Sequence, residues 1–91
     1  MHEHALINDL FRKINTTAEQ HRATRVRKVS VWLGALCHIS PEHFREHFEH
    51  TAPETRAAGA QLELEVSDDL HHPNAQQLYL TSLELDIPDG I

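Results

Sequence analysis

The sequence predicts an α+β domain: a three-stranded mixed sheet with two helices packed on one face, in the order α-β-α-β-β. Three observations carry this. Two stretches place apolar residues at helical spacing, and three others alternate in or near a period of two. The central strand-helix-strand unit calls for a right-handed crossover and hence parallel pairing. A chain of 91 residues also has room for only one core, one layer of sheet against helices.

From Ala5 to about His21, Leu6, Ile7, Leu10, Phe11, Ile14 and Ala18 form an apolar stripe, opposite Asn8, Asp9, Arg12, Lys13 and Glu19. Asn15, Thr16 and Thr17 are mediocre helix formers, so packing has to hold this helix. Arg25–Leu36 then reads as a strand with Val29, Val31 and Leu33 on one face and Lys28, Ser30 and Trp32 on the other, Gly34 marking its end. Val26 has the wrong parity, which predicts a bulge or irregular start. Ser40-Pro41 is a helix start, N-cap then first helical position, for a helix running to about Thr51 with Phe44 and Phe48 buried. Residues 52–59 form a connector ending at Gly59. Gln61–Val66 is a half-buried strand with Leu62, Leu64 and Val66 inward, and Leu78–Ile87 is a third, with Leu83, Leu85 and Ile87 on one face. Leu78 and Leu80 have the opposite parity, which predicts a bulge near Thr81-Ser82. These last two strands are expected to form an antiparallel hairpin, leaving Glu63, Glu65, Glu84 and Asp86 on a face in water.

Fourteen acidic residues against eight basic ones, a formal charge of −6, argue against nucleic acid or an acidic membrane as partner. No apolar run approaches the roughly 20 residues that span a bilayer, and no signal-peptide pattern opens the chain. The lone Cys37 excludes an internal disulfide framework and any multi-cysteine zinc site, which fits a cytoplasmic protein. The three glycines build no phosphate-cradling loop, and Cys37 and His38, adjacent in sequence, lack the convergent geometry of a nucleophilic site. The chain is expected not to be an enzyme.

Nine histidines are the compositional outlier. His2 follows directly on the amino terminus, where a metal ion can take the terminal amine, an imidazole nitrogen and one or two deprotonated backbone amides. This mainly nitrogen set suits square-planar Ni(II) or Cu(II). The competing reading is a frayed, solvated terminus.

Taken together these residues resemble the HypA/HybF hydrogenase nickel-incorporation family. The likeness lies in Met1-His2-Glu3, the apolar first helix, Thr24-Arg25-Val26, Leu33-Gly34-Ala35-Leu36 and Pro41-Glu42 with Phe44 and Phe48. It continues in Gly59-Ala60-Gln61-Leu62-Glu63-Leu64 and Leu83-Glu84-Leu85, covering roughly residues 1–66 and 78–87. The resemblance implies a nickel-binding metallochaperone for maturation of NiFe-hydrogenase or urease, working beside a HypB-like GTPase. It implies a nickel site at His2 and Glu3, with the Met1 amine as a further donor. Family members carry a zinc-binding insertion built on two Cys-x-x-Cys pairs between the last two strands. Here residues 67–77 stand in its place as a short loop, so the reading is one HypA-like nickel-binding domain, 1–91, with no structural zinc.

The other histidines rank lower. His4 competes with His2; His43, His47 and His50 lie within about 60° of one another on a helix and are either chelators or a solvated flank. His71 and His72, after Asp68-Asp69, are either ligands or loop residues, and His38 follows the first strand where the fold can bring a ligand near the terminus. A second functional reading stays open: a zinc-free paralogue that acts as a protein-interaction module without metal delivery. It would bind a GTPase or the large subunit of a nickel enzyme, or form a homodimer through a sheet edge.

Overall fold

The computed structural model describes residues 2–88, with side chains for residues 5–88. Helix α1 (His2–Gln20) is followed by strand β1 (Arg25–Leu33), helix α2 (Pro41–Thr51), a 3₁₀ turn (Ala52–Glu54), β2 (Gln61–Val66) and β3 (Leu78–Asp86). The α+β architecture holds, with both helices over one face of a three-stranded mixed sheet. Helix α1 begins three residues before the expected Ala5 and ends at Gln20. Ile7, Leu10, Phe11, Ile14 and Ala18 all bury, and Phe11 stacks on Phe48 of α2 with ring centroids 5.2 Å apart. Helix α2 starts as its sequence requires: the His43 amide donates to Ser40 Oγ (3.0 Å) and Pro41 takes the first turn. Among the described residues no helix is long and apolar enough to cross a membrane.

The expected hairpin between the last two strands is not formed. The sheet order is β2-β1-β3, with β1 paired parallel to β2 and antiparallel to β3. Length and apolarity explain the choice. β1 and β3 each have nine residues and match end to end, whereas β2 has six. The apolar β1, with Val26, Val29, Val31 and Leu33 at no more than 1% exposure, gains most from the central place. Residues 67–77 therefore cross the end of β1 instead of turning back on β2.

Both parity conflicts are real irregularities: the register shifts between Val26 and Lys28, and again between Ser30 and Val31 where Thr81 is the extra residue. The first restores Val26 to the buried face. Other boundaries differ from expectation. β1 stops at Leu33, because the Gly34 and Leu36 amides turn to the carbonyls of Gln77 and Ala75 (2.9 and 2.7 Å). At Gly34 a Cβ would lie 2.3 Å from the Ala75 carbonyl oxygen, so glycine is what lets the crossing loop approach. β3 ends at Asp86, leaving Ile87 beyond it and 52% exposed. Val66, expected inward, is 54% exposed because α2 covers the start of the edge strand β2 better than its end. The open face is not uniformly wet either: Trp32 is buried there between His72 and Tyr79, at centroid distances of 4.9 and 5.0 Å.

Candidate metal centre

The side chains of Met1, His2, Glu3 and His4 lie outside the described residues, so the donor geometry at the terminus is not described. What is described is the helix that carries them. α1 starts at His2, and the first buried residue among those with described side chains is Ile7, about 7.5 Å along the axis at 1.5 Å per residue. The first four N–H groups of a helix have no intrahelical acceptor, so the His2 and Glu3 amides are not committed to the helix ladder. A metal that displaces those amide protons breaks no backbone hydrogen bond of the helix.

On α2, His43, Glu46, His47 and His50 line one shallow groove of ≈ 320 Å³. His43 and His50 are exposed and His47 is half-buried. Seven residues of helix separate the outer pair by about 10 Å along the axis, so only neighbours within one turn come within chelating reach. Among the described residues, no three His, Cys, Asp or Glu side chains gather into a group able to hold a metal ion.

The remaining candidates are spread apart. His38 is exposed and sits in the left-handed region (φ 68°), and the neighbouring Cys37 thiol is buried and donates to the Ile39 carbonyl (3.5 Å). His71 is exposed, its amide donating to Asp69 Oδ1 (3.0 Å). His72 packs on Trp32 while its Nδ1 accepts the Asn74 amide (2.9 Å), an arrangement that requires Nδ1 to be unprotonated and occupies its lone pair. His21 Nδ1 lies 2.9 Å from the Thr17 carbonyl at the end of α1. His72 is thus a structural aromatic cover, which its place in a polar loop did not signal.

Sequence reasoning missed a second stripe on α2. Each histidine of the 43, 47, 50 set directly follows a glutamate, so Glu42, Glu46 and Glu49 repeat at the same spacing on the adjacent flank, over the free edge of β2. The signal was present as three Glu-His pairs in the sequence.

The family model for "Hydrogenase/urease nickel incorporation, metallochaperone, hypA" matches residues 1–72. The hydrogenase maturation factor HypA of Methanosarcina barkeri (strain Fusaro / DSM 804) is 35% identical over 66 residues, 72% of this chain and 50% of that protein. That of Rhodopseudomonas palustris (strain TIE-1) is 39% identical over 64 residues, 70% of this chain and 57% of the relative. The chain spans about half the length of these curated relatives. Its fold is similar to the solution structure of the Ni metallochaperone HypA from Helicobacter pylori. That match has a TM-score of 0.81 and 16% identity and covers 94% of this chain and 98% of that one. With the family model covering the first helix, the parallel strand pair and the second helix, the chain belongs to the HypA family of nickel-incorporation metallochaperones.

Proposed function

We propose that this chain binds Ni(II) as cargo at its amino-terminal segment, through the Met1 amine, the His2 imidazole, neighbouring backbone amides and the Glu3 carboxylate. It passes the metal to a maturing nickel enzyme of the NiFe-hydrogenase or urease type. The observation that carries this reading is the start of α1 at His2, on a helix anchored from Ile7 onward, within a chain of this family. Anchoring lowers the ordering cost of gathering donors from consecutive residues. His2 is bulky, which favours retention of Met1. The protein acts by binding and handing over in the cytoplasm, not by catalysis, and its partners are a HypB-like GTPase and the large subunit of the recipient enzyme. Residues 67–77 are read as a short loop in place of the zinc-binding insertion that the family resemblance implies, within a nickel-binding domain.

Calorimetric titration of Ni(II) into the chain tests the site. Replacing His2 by Ala is expected to weaken binding by on the order of tenfold or more, equivalent to about 1.4 kcal/mol or above. Unchanged affinity overturns the assignment. Because protons compete for imidazole and amine, affinity falls as these donors protonate with falling pH.

A second reading is favoured by one observation: the loop that replaces the insertion is spent on covering Trp32 and closing over Gly34. A zinc-free paralogue that keeps the scaffold for protein contacts, without delivery, would use the loop in this way. A partner complex that survives both His2→Ala and a chelator supports this alternative.

A further inference from the structure

The outer edge of β2 is an open strand edge whose free backbone groups can be assigned residue by residue. The Ser67 amide donates to the Leu33 carbonyl (2.9 Å), continuing the ladder to β1. Backbone groups that face one neighbour alternate along a strand, so Gln61, Glu63 and Glu65 also direct theirs to β1. Those of Leu62, Leu64 and Val66 face away from the sheet. Arg45 of α2 confirms the direction, its Nη1 lying 3.5 Å from the Leu62 carbonyl oxygen. The outward N–H and C=O groups of Leu64 and Val66 find no partner among the described residues. Their side chains form the apolar floor of a groove of ≈ 480 Å³, walled on α2 by Pro41, Glu42, Arg45, Glu46 and Glu49.

The geometry points to this edge as a docking site for an extended, cationic segment of a partner protein, which adds as a fourth strand beside β2. The backbone of Leu64 and Val66 supplies the hydrogen bonds of strand addition, and the apolar floor takes alternate side chains. Charge selects the occupant. Glu42, Glu46 and Glu49 stand over the helix side of the groove and Glu65 is exposed on the other face, so a segment with apolar residues over the floor and Lys or Arg at the alternate positions sets its cations beside Glu65 and within the field of the helix glutamates. A second copy is a poor fit, because antiparallel self-pairing of β2 brings two sets of these glutamates together at a cost. The inference is independent of the nickel reading.

The test is a titration of the ¹⁵N-labelled 91-residue chain with a short, end-capped peptide of alternating lysine and valine. Expected are amide shifts at Leu64 and Val66 with slowed hydrogen exchange there. Glu46→Lys with Glu49→Lys is expected to weaken binding about tenfold, and the milder Glu42→Gln about twofold. The same peptide N-methylated at every amide, which leaves neither edge able to donate, is expected not to bind. Equal binding of the N-methylated peptide, or shifts scattered over Glu84 and Asp86 without slowed exchange, overturns strand addition and leaves bulk charge attraction. Slow exchange at Leu64 and Val66 that rises with protein concentration and without peptide assigns the edge to a second copy and also overturns the proposal.

Discussion

The two faces of β1 are built from one backbone but held by different means. On the helix side, Val29, Val31 and Leu33 reach at most 1% exposure under Phe44, Phe48 and the α1 stripe, elements with their own regular structure. On the open side, Lys28 and Ser30 are only half-covered, and Trp32 is buried by one loop histidine and Tyr79. Burial that depends on two helices is cooperative with the whole fold, whereas burial that depends on a loop can relax locally when the side chain is removed.

That contrast can be broken at either face. Phe44→Ala, at 0% exposure, is expected to cost about 3–5 kcal/mol in urea unfolding, since the helices cannot collapse into the space. Trp32→Ala removes a larger ring but is expected to cost less, about 2 kcal/mol, because residues 67–77 can settle into the gap. Faster hydrogen exchange at the Leu36 amide, which donates to Ala75, without comparable change at Val29 marks the loss as local. An equal or greater cost at Trp32 would show that the loop is as rigid as the helices. Ser40→Ala removes only the cap that accepts the His43 amide and is expected to cost about 1 kcal/mol, read as a thermal midpoint lowered by about 4–8 °C.

The sequence made the local features legible and left the long-range ones dark. Cap, first-turn proline and paired phenylalanines defined the start of α2 and its approximate end, and a parity conflict at Val26 and another at Leu80 located both bulges. Parity reports which face a side chain takes, not which strand lies beside it. The pairing of β3 with β1 rather than β2 therefore escaped a reading that joined neighbours in sequence. The role of His72 was hidden for the same reason, since its partner Trp32 is forty residues away and chosen by the loop crossing. At the metal centre, helical spacing brought His43, His47 and His50 to one groove, but not into a metal-holding group among the described residues. The assignment of nickel to Met1, His2 and Glu3 is a proposal that rests on family resemblance, and those side chains lie outside the described residues.

The histidine-rich flank of α2 and the amino terminus are the two rival candidates for the proposed nickel site, and one calorimetric comparison separates them. Ni(II) is titrated into the unaltered chain, into His2→Ala, and into a variant with His43, His47 and His50 all replaced by Ala. The account predicts that His2→Ala loses on the order of tenfold or more in affinity while the α2 variant stays within about twofold. The reverse order would place nickel on α2 and contradict the assignment to the terminus.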